Sequence, residues 1–156
     1  MGAINEKFNT AEIVERKCIN WFFKKKGNII EMNTISNVGS YADEDFTFTS
    51  GRTFVVAEVK VRDFASDKYP TAFLELDKVN RLMKRGVEYA VTTPQILYFA
   101  FYKGNNKLLI FDLMNTPHKM VYKSCPVSTM DMSRGYIHKA MVEFKIQDAI
   151  EIIDIV

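Results

Sequence analysis

Asp45, Glu58 and Lys60 are the residues of this chain whose types and spacing carry the clearest chemistry. The run TFVVAEVKV, residues 53 to 61, is β-branched and apolar on both faces except for Glu58 and Lys60, and so reads as a buried central strand. Strand side chains alternate, which places Glu58 and Lys60 on one face about 7 Å apart. Unpaired charge is costly to bury, and such breaks of pattern collect at functional sites. Just upstream, Phe46 and Phe48 alternate with Thr47 and Thr49, and Ser50-Gly51 supplies a turn, so the segment reads as a hairpin. An even-numbered loop puts Asp45 on the face of Glu58 and Lys60. With loop residues 50 to 53 it stands directly opposite Glu58; with the tighter turn it is diagonal, about 5 to 8 Å away in either case.

Two carboxylates at that distance can share one hard divalent cation. Mg²⁺ takes one or two protein carboxylates, keeps several waters and completes its shell with substrate phosphate oxygens; Mn²⁺ is the natural substitute. The ammonium of Lys60 has no lone pair with which to ligate, but it can hold the attacking water or neutralise a phosphorane-like transition state. The chemistry this trio suits is phosphodiester hydrolysis. The competing reading, a solvent-facing hairpin with a salt-bridge ladder, sits poorly with such apolar neighbours.

The elements that must position the trio follow from periodicity. Residues 9 to 26 are expected to form an amphipathic helix, with Ala11, Val14, Cys18, Trp21 and Phe22 inward, Asn9 as cap, Glu12 as reciprocal capping acid and Phe8 against Ile13 as staple. Lys24 to Lys26 suit its C-terminal dipole, and Gly27 stops it. Ile29 to Met32 reads as a short strand, followed by a polar loop. RDFASDKYP is a loop, and FLELDKVNRLMKRG is expected as a second helix with Leu76, Val79, Leu82 and Met83 inward and Gly86 at its end. Residues 94 to 114 form two apolar strands about Gly104-Asn105-Asn106. Beyond Pro117, Met120 to Tyr122 and Ala140 to Ile146 are candidate strands, and 148 to 156 is left unassigned. The sum is an α/β (α+β) arrangement, a central mixed β-sheet flanked by helices.

Length and composition bound the rest. The 156 residues are 47% hydrophobic, 26% charged and 13% aromatic, which suits one globular domain over 1–156 and excludes disorder, collagen and coiled coil. A net charge of +2 neither demands nor forbids a phosphate partner. Cys18 and Cys125 lie 107 positions apart and the two histidines stand alone, so neither a zinc site nor a disulfide framework is indicated. No apolar run is long enough to span a membrane and no leader is evident, which makes a cytoplasmic location the expectation.

The spacing DFTFTSGRTFVVAEVK, from Asp45 to Lys60, resembles the PD-(D/E)xK nuclease superfamily, whose restriction-endonuclease-like core runs αβββαβ. The resemblance covers about residues 10 to 114, leaving 115 to 156 as an extension without an assigned role. Glu44 stands where the name has proline, and Asp43 is a rival to Asp45; Asp45 is preferred because it abuts the Phe46 to Phe48 alternation. A second triplet, Glu143-Phe144-Lys145, lacks the upstream acid and turn and reads as surface. The resemblance implies Asp45 and Glu58 as metal ligands together with the backbone carbonyl of Val59, and Lys60 as the residue that orients or activates water. It also implies an acid from the first helix, for which Glu15 is the candidate, and a polar or basic residue from the second, for which it is Lys78. Glu75 is expected to share a helix face with Lys78, and this second-helix motif resembles phage and bacterial members.

From Lys60 to Arg85, seven basic residues face four acids, a modest footprint for a phosphate backbone. Arg62, Lys68, Tyr69, Lys78 and Arg81 are the candidate nucleic-acid contacts, Tyr69 as a stacking platform. The reading is a Mg²⁺-dependent deoxyribonuclease, with RNA as the open alternative substrate and a homodimer as a compatible state. The alternative is a catalytically inactive nucleic-acid-binding or assembly module on the same fold; a third reading, an unrelated enzyme, would need a deep apolar pocket.

Overall fold

The structure is a computed structural model that describes residues 2–27, 30–36, 44–89, 93–127 and 132–155; Asp43 lies outside them. Helix α1 (Gly2–Lys26) starts seven residues before the expected cap at Asn9. Continued helix satisfies the amides of residues 9 to 12 within its own ladder, so Asn9, Glu12 and Phe8 mark no terminus. Strands β1 (Ile30–Ile35), β2 (Phe46–Ser50) and β3 (Thr53–Arg62) follow as an antiparallel meander. The β2–β3 turn is Gly51-Arg52, one residue later than Ser50-Gly51, with Gly51 at a positive φ of 60° that favours glycine. Ser50 pairs with Thr53 and Phe46 with Ala57, the register that brings position 45 alongside Glu58.

The second helix is shorter at its start than the periodicity predicts. Residues 71 to 75 form strand β4 (Thr71–Glu75), and α2 (Leu76–Tyr89) begins directly after it. Ala72 and Leu74 are buried, and Leu74 pairs with Val142. That partner, 68 positions away in sequence, is invisible to a local pattern. Glu75 is therefore the last strand residue and does not share a helix face with Lys78. Gly86 does not stop α2 either: a Cβ there would lie 2.5 Å from Ile96 Cδ1, so this glycine serves the close approach of the helix to the sheet.

Strands β5 (Gln95–Tyr102) and β6 (Lys107–Asp112) form the expected hairpin. The extension beyond residue 115 supplies β7 (His118–Pro126), β8 (Tyr136–Lys145) and, in the unassigned 148 to 156, β9 (Glu151–Asp154). The main sheet has the order β1-β2-β3-β5-β6-β9, with β3 and β5 parallel, and β4-β8-β7 make a second, antiparallel sheet. The fold is α+β with a central mixed sheet flanked by helices. The order α1, β1, β2, β3, α2, β5 follows the αβββαβ sequence of elements, with β4 inserted before α2. No described helix is long and apolar enough to cross a membrane.

Alternation along β3 divides the core. Val55, Ala57 and Val59 face α1, joining Cys18, Ile19, Phe22, Phe46, Phe48 and Phe99. There the Phe22 and Phe46 rings meet Phe99 edge-on at 4.8 and 5.0 Å, contacts each worth about 0.5–1.5 kcal/mol beyond area burial. Val56 faces α2 and the second sheet, joining Val79, Leu82, Tyr98, Phe111, Val142 and Phe144. Phe144, the middle of the triplet expected at the surface, is fully buried here, while Glu143 is paired with Lys119 at 3.5 Å.

The loop after β3 is clamped by the β5–β6 turn. The Lys103 N–H donates to Arg62 O at 2.9 Å, the Gly104 N–H to Phe64 O at 3.2 Å, and Asn105 exchanges hydrogen bonds with Ser66. A Cβ at position 104 would lie 2.3 Å from the backbone nitrogen of Ala65. Gly104→Ala is expected to destabilise the fold by about 1–3 kcal/mol or more, read as a lower urea midpoint, whereas Arg52→Ala in the exposed β2–β3 turn should stay within about 0.5 kcal/mol.

Candidate active site

The β2–β3 ladder ends at Phe46 and Ala57, so residues 58 to 62 pair only with β5 among the described residues. Asp45 sits where the two strands part. Its N–H donates to Ala57 O at 2.9 Å, and its Oδ2 accepts the Val59 N–H at 2.7 Å. The carboxylate thus takes over a backbone donor that the departing strand no longer satisfies.

Glu58 and Lys60 stand on the α2 face of β3. Glu58 is 2% exposed, and Lys60 Nζ lies 3.2 Å from its Oε1. Lys78, in the first turn of α2, places Nζ 3.5 Å from Oε2. That oxygen is nevertheless buried without a hydrogen bond. From the other side of the sheet, α1 brings Glu15 and Arg16 to the same gap. Arg16 Nη1 reaches Asp45 Oδ1 at 3.4 Å and Glu15 Oε2 at 3.9 Å, while its Nε and Nη2 donate to Ser36 O and Oγ at 2.7 and 2.8 Å.

Burial pushes the Glu58 carboxyl up to about 8, the Asp45 charge adds to this, and Lys60 and Lys78 oppose it. Glu15 is raised to about 7, by burial first and then by Asp45, against the pull of Lys60 and Arg16. Partial burial draws Lys60 down, but Glu58, Glu15 and Asp45 outweigh it and hold the ammonium above its ordinary value. The structure therefore brings Glu15, Asp45, Glu58, Lys60 and Lys78 within electrostatic reach of one another.

Among the described residues, no three His, Cys, Asp or Glu side chains form a metal cage. The donors present still suit a hard cation that keeps most of its water. They are carboxylate oxygens from Glu58 and Asp45, one of them the buried Oε2 without a hydrogen bond.

The five candidate nucleic-acid contacts divide. Arg62 is turned inward, its Nη2 donating to Phe73 O at 3.0 Å and Tyr98 Oη at 3.1 Å. Lys78 is directed at Glu58. Lys68 and Tyr69 lie exposed on the 63–70 loop, with the Lys68 ammonium 5.4 Å from the Tyr69 ring centre. Arg81 is on the outer face of α2 near Asp77. Sequence reasoning missed Arg16, which lies off the apolar stripe of α1, and the buried Glu44, which accepts from Arg85 Nε at 3.1 Å. Glu44 had only marked the missing proline; the apolar surroundings of the 44–48 segment were the signal that an acid there needs a cation.

No protein-family model matches the chain, and no curated protein matches it. Among solved structures it is similar to Hjc, a Holliday junction resolvase from the archaeal hyperthermophile Archaeoglobus fulgidus, at 16% identity over 65% of this chain and 77% of that one, with a TM-score of 0.48.

The raised acids make stability depend on pH. Between the ordinary carboxyl value of 4.5 and about 7 for Glu15 or about 8 for Glu58, the folded state binds more protons than the unfolded one. Stability must then fall as pH rises through that window. In EDTA, the melting temperature is expected to drop between pH 5 and 8, and Glu58→Gln to flatten the drop. An equal slope in the variant would show that Glu58 does not carry it.

Proposed function

We propose that this chain is a metal-dependent nuclease that hydrolyses phosphodiester bonds in DNA. One observation supports the reading above the rest: three carboxylates and two lysines lie within electrostatic reach of one another where β2 leaves β3, and one oxygen of the buried Glu58 accepts no hydrogen bond. Glu58, Asp45 and the Val59 carbonyl would hold Mg²⁺ or Mn²⁺, as the resemblance implies. When bound, the ion supplies Lewis-acid stabilisation of charge on the scissile phosphate and the leaving 3′ oxygen.

The chain's own residues do the remaining work. Lys60 keeps its proton, because the acids around it raise its pKa, so it orients the attacking water as a donor and offsets phosphate charge; it is not a base. Glu15, raised to about 7, is poised to take that water's proton at its carboxylate near neutral pH. Lys78 offsets the Glu58 charge from the opposite side, and Arg16 holds Asp45 and Glu15 in place.

The ion pairs also favour a second reading. Arg16 on Asp45, with Lys60 and Lys78 on Glu58, neutralise the acids without any metal ion, as a module that binds nucleic acid but does not cleave it would require.

Cleavage of supercoiled plasmid separates the two. Glu58→Ala and Lys60→Ala are each expected to lower the Mg²⁺-dependent rate by at least about 10²-fold with the circular dichroism spectrum unchanged. Undiminished cleavage by both variants would remove the assignment, and EDTA-insensitive cleavage would remove the metal.

A further inference from the structure

Helix α2 grips the two acid-bearing segments of the sheet with one face. Lys78, Leu82 and Arg85 recur at steps of four and three and so line one side of the helix. Leu82 is fully buried in the cluster that holds Val56 of β3, and the two cations flank it half-buried, about 10 Å apart along the axis. Lys78 points at Glu58 on β3, whereas Arg85 donates from Nε to Glu44 Oε2 at 3.1 Å, at the entry to β2. Its Nη1 also donates to Glu88 Oε2 at 3.1 Å, which holds the guanidinium from the solvent side.

Glu44 does not stand where a continued β2 would put it. Phe46 and Phe48 face α1, and regular alternation would send position 44 to that same face. The chain bends at Asp45, and Glu44 turns instead to α2, where it is 6% exposed. A carboxylate that deep needs a cation, and Arg85 supplies it. Asp45 therefore stands between two arginine tethers: Arg16 from α1, 3.4 Å from its own carboxylate, and Arg85 from α2 on the residue before it. Held so, Asp45 Oδ2 accepts the Val59 N–H at 2.7 Å, the amide next to Glu58.

We propose that Glu44 and Arg85 are a positioning pair: their ion pair holds the chain bent at Asp45 and so fixes that carboxylate beside Val59 at the mouth of the proposed site. Neither residue touches the reacting atoms. Without the pair, the entry to β2 is released from α2, and Asp45 is left to the pull of Arg16 toward α1, away from Glu58. Glu44 occupies the position where the superfamily's name has proline, a residue that fixes φ covalently. Here an ion pair to the helix restrains the same position from outside the backbone. The face that delivers Lys78 to Glu58 thus also sets the second acid, so one helix places both.

This pairing deepens the nuclease reading and rests on it only for the task of Asp45, so geometry and metal binding are measured separately. Amide hydrogen exchange of the full chain is followed by NMR in EDTA. Glu44→Gln and Arg85→Gln are each expected to speed exchange of the Val59 amide on the order of tenfold, with the Phe99 amide of β5 unchanged. The double variant should lose no more than either single one. Calorimetric titration with Mn²⁺ is expected to show affinity lower by about 10- to 100-fold in the same variants, the range for a residue that orients a metal ligand. Faster Val59 exchange in the variants with no Mn²⁺ binding by the wild type would uphold the pair and defeat the metal-dependent reading. Wild-type Val59 exchange in both variants would overturn the pair and leave cleavage to be judged by Glu58. Equal acceleration at Phe99 would mean a general loosening of the fold, and additive losses in the double variant would mean two independent residues; either would also overturn it. Undiminished Mn²⁺ affinity in variants with faster Val59 exchange would overturn its bearing on the site.

Discussion

A carboxylate buried on an otherwise apolar strand is the constraint around which this structure is arranged. Removing the Glu58 charge from water without compensation would cost several kcal/mol. The chain answers with Lys60 two residues away on the same face and with Lys78 from the first turn of α2. Lys78 stands 3.5 Å from Oε2 without a hydrogen bond to it, and burial pushes the carboxyl up against the pull of both lysines.

The second condition is the parting of β2 from β3. Had β2 continued, Val59 would have paired with backbone and the edge beside Glu58 would have been closed. The chain instead bends at Asp45, whose carboxylate replaces the missing strand. Through this gap the two faces of the sheet communicate: α1 contributes Glu15 and Arg16 from one side, α2 contributes Lys78 from the other, and the charges influence one another across it. The herringbone of Phe22, Phe46 and Phe99 below the gap gives α1 a rigid seat, which fixes where Glu15 and Arg16 arrive.

The C-terminal third does more than close the core. β9 extends the main sheet beside β6, while β7 and β8 recruit β4 into a second sheet that roofs the α2 face. This recruitment turns residues 71 to 75 into a strand and delays α2 until Leu76, setting Lys78 in its first turn. The position of Lys78 thus depends on Met141 to Lys145 of β8, more than sixty residues away in sequence.

Where period and chemistry are local, the sequence alone was decisive. The alternation of Phe46 to Thr49, the β-branched run ending in Glu58 and Lys60, and the apolar strands about Gly104 each encode their own conformation, and strand parity alone put Glu58 and Lys60 on one face. Where the outcome depends on partners distant in the chain, only the folded molecule decided. A three-residue stretch such as Phe73-Leu74-Glu75 carries too little pattern to choose between helix and strand until β8 lies beside it. The caps at Asn9 and Gly86 are weak local preferences that helix propagation and packing override. Arg16 and Glu44 have no distinguishing spacing; they matter because the antiparallel pairing of β1 with β2 and the docking of α2 bring Asp45 and Arg85 to them. Local periodicity records which residues belong inside, whereas the pairing of opposite charges in low dielectric is a property of three-dimensional proximity, which no linear pattern contains.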